Sequence, residues 1–78
     1  MLIYYNCGLA YLKLDLDDDA EKYFLQTLKI NSRLSQSLFL LGMIQQRRGD
    51  VEGTEHYFGL AHRMNPGVGD SVGRMQPP

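Results

Sequence analysis

Three groups of side chains in this 78-residue chain have the chemistry for a metal or a reaction: the carboxylates of Asp15, Asp17 and Asp19, the imidazoles of His56 and His62, and the thiol of Cys7. The alternation Asp15-x-Asp17-x-Asp19 opens like a calcium loop. However, Ala20 stands where the sharp turn takes Gly, and Gln26 stands where a bidentate Glu would close the site. Helix capping and solvated charge account for these carboxylates better than calcium does. His56 and His62 are six residues apart, which puts them on different faces of a helix, and Cys7 lies far from both, so zinc ligation is not supported. Cys7 sits beside Gly8 in a small packing position and reads as a buried, inert thiol rather than a nucleophile. No Gly-rich phosphate loop and no Ser–His–Asp grouping stands out. The expectation is a chain with no enzymatic activity, no cofactor and no metal, whose work is done by a surface.

Composition narrows the kind of surface. With 44% hydrophobic and 22% charged residues, the chain has the make-up of a globular domain rather than a disordered one. A formal net charge of -1 gives no attraction to phosphate backbones or anionic membranes, so neither nucleic acid nor membrane is an expected partner. One cysteine excludes an internal disulfide and suits a reducing compartment, and the expected location is cytoplasmic. The apolar start Met1–Tyr5 lacks a basic n-region and is interrupted by Asn6, so it reads as a packed helix rather than a signal peptide. No apolar run approaches the roughly 18 to 20 residues that span a bilayer.

The elements that must position these residues come from a repeat. Shifting the sequence by 34 residues places Gly8 on Gly42, Glu21 on Glu55, Tyr23 on Tyr57, Phe24 on Phe58 and Asn31 on Asn65. In the same ungapped register Tyr5 meets Phe39, Leu9 meets Met43, Lys13 meets Arg47, Asp18 meets Glu52 and Lys29 meets Arg63. Apolar spacing predicts helices over about 2–14, from the Asp17 or Asp18 cap to about 30, and over about 34–47 and 51–64. Gly8 in mid-helix costs about 1 kcal/mol relative to Ala, which makes sense where a neighbouring helix excludes any side chain. Asp17 or Asp18 is expected to cap the second helix, with the remaining carboxylates at the positive end of its dipole. Asn31-Ser32 is a short connection, and Arg48-Gly49-Asp50 reads as a C′ glycine followed by an Asp cap. The inward stripes are Ala20, Phe24, Thr27 and Leu28 on the second helix, Leu38, Leu41, Gly42 and Gln45 on the third, and Thr54, Phe58 and Ala61 on the fourth. From residue 67 the chain turns Gly- and Pro-rich and is expected to be flexible, although Val72 and Met75 fall on packing positions of the repeat register.

Two helices per repeat, this period, and this order of large and small residues resemble the tetratricopeptide repeat. The first repeat supplies Tyr4, Cys7-Gly8, Tyr11, Ala20, Phe24, Thr27 and Ser32; the second supplies Leu38, Leu41-Gly42, Gln45, Thr54, Phe58, Ala61 and Pro66. Cys7, Thr27, Ser32, Leu38, Gln45 and Thr54 depart from the usual residues at their positions. The resemblance covers residues 1 to about 68. It implies an all-α fold: two helix-turn-helix units, 1–34 and 35–66, stacked as a short right-handed α-solenoid of four antiparallel helices, followed by a tail over 67–78.

The resemblance also implies a protein-binding adaptor or scaffold in which the first helix of each pair lines a concave groove. The groove residues would be Leu2, Tyr5, Asn6, Leu9, Leu12 and Lys13, joined by Gln36, Phe39, Leu40, Met43, Gln46 and Arg47. Tyr5 and Phe39 would act as aromatic anchors, with Lys13, Arg47 and Arg48 as a basic rim. Such a surface suits a helix or extended peptide with apolar side chains and an acidic end. One alternative is that Leu2, Tyr5, Leu9, Phe39 and Met43 merely complete the core of the pair; a separate one is that the chain has a structural role with no separate ligand. Each repeat buries its apolar face only against a neighbour, and about three are usually needed for stability. On that view the sides of the end helices, Ile3 and Tyr4 at one end and Tyr57, Leu60 and Met64 at the other, are partly bare. They would serve self-association or a longer array.

Overall fold

The computed structural model describes residues 3–30 and 34–68, and these form four α-helices: α1 (Ile3–Lys13), α2 (Asp17–Lys29), α3 (Leu34–Arg48) and α4 (Val51–Met64). No strand occurs among the described residues, and consecutive helices pack on one another: α1 on α2, α2 on α3, α3 on α4. Leu2, Val72 and Met75, and the Asn31-Ser32 connection, lie outside the described residues.

Both α1 and α3 end in the same way, and the geometry explains where the following helix begins. Among the described residues, Asp15 and Gly49 are the two with left-handed backbone, at φ 60° and 79°. Around Gly49, the Gly49 N–H donates to the Gln46 carbonyl (3.1 Å) and the Asp50 N–H to the Gln45 carbonyl (2.9 Å). Around Asp15, the Asp15 N–H donates to the Leu12 carbonyl (3.1 Å) and the Leu16 N–H to the Tyr11 carbonyl (2.9 Å). Each is a Schellman closure. Asp is one of the few non-glycine residues that tolerates the left-handed region, so the turn survives without Gly at its apex. The closure fixes the N-cap of the next helix one residue past the apex. At α4 that residue is Asp50, whose Oδ1 accepts from the Gly53 N–H at 3.0 Å, as expected. At α2 it is Leu16, which has no side-chain acceptor, so the expected Asp17 or Asp18 cap is not made. Asp17, Asp18 and Asp19 instead occupy the first turn of α2, where their charge favours the helix dipole.

The core is a line of large side chains between these helices. Tyr5, Phe24, Leu40, Leu41 and Ile44 are at most 1% exposed, each contributing an upper estimate of about 1.5–3 kcal/mol through burial. Thr27 is also fully buried, and its hydroxyl is satisfied by donating to the Tyr23 carbonyl at 2.9 Å. Two ring pairs hold equivalent places. Tyr5 lies 6.0 Å from Phe24 and Phe39 lies 4.9 Å from Phe58, centroid to centroid, and both pairs are tilted.

Each second ring also lies on a glycine. A methyl group built on Gly8 would sit 2.6 Å from Cε1 of Phe24, and one built on Gly42 would sit 2.6 Å from Cε1 of Phe58. Exclusion of a side chain is thus the reason for both mid-helix glycines. Gly59, by contrast, has nothing within 4 Å of its added methyl position.

These contacts predict an order of stabilities in chemical unfolding followed by circular dichroism. Gly59→Ala should stabilise by about 0.5–1 kcal/mol through helix propensity alone. Gly8→Ala should destabilise by about 1–3 kcal/mol, because Phe24 is fully enclosed and cannot retreat. Gly42→Ala should fall between them, since Phe58 is only half-buried and has room to move. Equal effects at Gly8 and Gly59 would refute the packing account.

Candidate functional site

The second helix of each pair meets a different environment. Phe24 on α2 is buried, whereas Phe58 on α4 is half-buried; Glu21 is half-buried and Glu55 exposed; Leu28 is half-buried and His62 exposed. The difference arises because α3 packs on α2, while none of the described helices packs on the corresponding face of α4. That face opens into a slot of about 670 Å³ lined by Phe39, Thr54, Glu55, Phe58, Gly59, His62, Pro66 and Val68. The slot is the place on α4 that α3 fills on α2. Its walls are the Phe39 and Phe58 rings and the buried Val68, with Glu55 and His62 as polar groups.

The filled junction shows what a helix contributes when it sits on such a face. Gln45 Nε2 donates to Glu21 Oε2 at 2.9 Å, Arg48 Nη1 reaches Glu21 Oε1 at 3.1 Å, and Arg48 also pairs with Asp18. Arg47 Nη1 bridges Asp15 Oδ1 at 3.2 Å and Asp17 Oδ1 at 3.3 Å. These groups are substantially exposed, so each ion pair contributes about 0–1 kcal/mol and mainly fixes how α3 lies on α2. Asp15 and Asp17, which open like a calcium loop, are therefore engaged by Arg47. Among the described residues no three His, Cys, Asp or Glu side chains are grouped so as to hold a metal ion.

The expected groove residues divide into several groups. Tyr5, Leu12 and Leu40 are buried in the core, so Tyr5 is a packing residue and not an accessible anchor. Leu9, Gln36, Phe39 and Met43 are half-buried, and Asn6, Lys13 and Gln46 are exposed. Arg47 and Arg48 serve the α2–α3 junction rather than a basic rim. Of the end-face residues, Ile3, Tyr4 and Met64 are exposed, whereas Tyr57 and Leu60 are half-buried against the core. Glu55, Gly59, His62 and Val68 were not among the expected site residues. The repeat register was the available signal, because it carries Glu21, Leu25, Leu28 and Leu34 onto those four positions.

At the opposite edge, three tyrosines form a ladder. Tyr23 stacks on Tyr11 with centroids 5.3 Å apart and planes 9° apart, and on Tyr4 at 6.2 Å. Electrostatic interaction with the neighbouring Tyr11, partial desolvation and nearby Cys7 raise the Tyr23 hydroxyl above its ordinary value, with smaller contributions from a hydrogen bond to Tyr11 and from Asp19. Cys7 itself is free and half-buried.

No family model, curated protein or solved structure matches this chain. Among the described residues no helix is long and apolar enough to cross a membrane.

The ladder predicts an alkaline signature in phenolate absorbance. Tyr23 should ionise above the ordinary tyrosine range, and Tyr11→Phe, which removes the largest cause, should bring that step to lower pH. The folded-state value is the raised one, so the associated stability is intact below the ordinary tyrosine value and lost as pH rises through that of Tyr23. A titration unchanged by Tyr11→Phe would contradict this coupling.

Proposed function

We propose that this chain is a non-enzymatic protein–protein interaction module of the tetratricopeptide kind. Its two units stack as a short right-handed solenoid and receive an apolar helix or peptide segment in the slot beside α4. The observation that carries the reading is the contrast between Phe24, closed over by α3, and Phe58, left half-open in an otherwise equivalent setting. The Schellman turns at Asp15 and Gly49 and the ring-on-glycine contacts at Gly8 and Gly42 support equivalence of the two units. Slots of this kind, with aromatic walls and few polar groups, suit an amphipathic helix whose anchors recur every three or four residues. The free thiol and the near-neutral charge fit a cytoplasmic protein whose partner is another protein.

The chemistry of the preferred segment follows from the filled junction. Asp18 and Glu21, which hold Arg48, are repeated on α4 as Glu52 and Glu55. The occupant should therefore be apolar along one stripe and carry an amide, hydroxyl or basic group near its C-terminal end. A synthetic peptide of residues 34–48 has these features and is the natural probe. Its fluorescein-labelled form should bind the folded protein in an anisotropy titration, and Glu55→Lys should weaken binding about tenfold, near 1.4 kcal/mol. Absence of binding, or affinity indifferent to Glu55→Lys, would remove the slot as a binding surface.

A further inference from the structure

We propose that the slot beside α4 is filled by α1 of a second copy of this chain, so that copies stack head to tail. The inference rests on the slot being a binding surface and names its occupant.

The first argument is that α1 has the complementary face, uncovered. Gly8 and Gly42 are buried alike, but several positions buried on α3 are open on α1. Ile3 is 63% exposed where Ser37 is fully buried, and Tyr4 is 41% exposed where Leu38 is 6% exposed. Cys7 is half-buried where Leu41 is fully buried, and Ala10 is exposed where Ile44 is fully buried. The stripe that α3 turns toward its neighbour is thus the stripe that α1 leaves in solvent. Ile3 is more apolar than its buried counterpart Ser37, and Tyr4, although it stacks on Tyr23 of its own chain, keeps 41% of its surface in solvent.

The second argument is chemical fit. On α2, Glu21 accepts a hydrogen bond from Gln45. Under the register of 34 residues, Gln45 becomes Tyr11 of the second copy and Glu21 becomes Glu55 of the first. A phenol hydroxyl donates to a carboxylate as the amide does, so the contact is preserved in kind. Lys13, one position before that of Arg48, brings positive charge to the end of α4 that carries Glu52 and Glu55. The Phe58 ring, already seated on Gly42, would be closed over by Tyr4 and Cys7 in the way that the Phe24 position is closed over by α3. The two faces differ, so the interface is heterologous and each added copy offers a fresh end.

Cys7, the chain's one cysteine, is a built-in reporter because stacking would cover it. Three proteins are compared by sedimentation equilibrium across a concentration series and by the rate of maleimide alkylation of Cys7: the wild type, Glu55→Lys on the α4 face and Ala10→Glu on the α1 face. Both substituted residues are exposed, so each variant should keep the wild-type helical spectrum. The wild type should rise above 8.9 kDa with concentration, and alkylation should slow in step. Each variant alone should stay near monomer mass, with association about tenfold or more weaker. An equimolar mixture should recover a dimer and nothing larger, because α1 of the Glu55→Lys copy fits α4 of the Ala10→Glu copy while the other two faces are spoiled. A wild type that stays monomeric, a mixture that fails to pair, or association untouched by either change would overturn the proposal. So would association that appears only after residues 69–78 are removed, which would make the chain's own C-terminal segment the occupant. If the 34–48 peptide binds while the protein stays monomeric, the slot reading stands and the second copy is excluded. If neither occurs, both fall.

Discussion

A glycine that lets an aromatic ring lie against a helix backbone sets the dimensions of this fold. Gly8 admits Phe24 and Gly42 admits Phe58, and in both cases even a methyl group would overlap the ring. Each glycine costs its helix about 1 kcal/mol in propensity. Burial of the opposing ring offsets that cost, by about 1.5–3 kcal/mol where enclosure is complete. Once the helices of a pair are this close, other choices follow. Ala20, Thr27 and Ala61 can be buried completely, and Tyr5 and Phe39 can tilt against the rings that the glycines admitted.

The same contact has two energetic outcomes because burial depends on neighbours as well as on the pair. Phe24 is sealed by α3, whereas Phe58 has one side open. In the proposed stacked arrangement each unit would be completed by the next. The junction between α2 and α3 divides its work accordingly. Its apolar side chains, Leu38 and Leu41 among them, supply the adhesion. Its polar groups, with Arg47 and Arg48 spread over Asp15, Asp17, Asp18 and Glu21, are too exposed to contribute much each, and serve to define angle and register.

Much of this was legible in the sequence, and the exceptions have physical causes. Four helices, the Gly49 stop and the Asp50 cap follow from local chemistry, since the residues involved act within one turn of backbone. The Asp17 or Asp18 cap does not hold, because Asp15 adopts the left-handed conformation that Gly49 adopts and thereby moves the cap to Leu16. Nothing in an Asp-rich run announces which member will take that conformation. Tyr5 and Leu12 were expected on an open groove and are buried instead, and Arg47 was expected on a rim and is spent on a junction. Those outcomes depend on packing between elements, which periodicity does not encode. The slot beside α4 escaped for a related reason: its residues are ordinary, and only the absence of a helix that their counterparts possess makes them a site.

The composition of that slot has a consequence for how firmly anything is held there. Where α2 offers Glu21, Leu25 and Leu28, α4 offers Glu55, Gly59 and His62 at the same register. The half-buried Leu28 has been exchanged for an imidazole, so a helix seated on α4 gains less apolar contact than α3 gains on α2. The helix α3 also arrives by tether, at an effective concentration in the millimolar range for a short linker, whereas a separate chain gives up translational and rotational freedom in order to bind. Both differences act in the same direction. They make the internal junction a permanent part of the fold and would make any contact at the α4 face a reversible one. On the proposed function, occupancy of that face would be governed by partner concentration, as exchange at an interaction surface requires and permanent burial of a core does not.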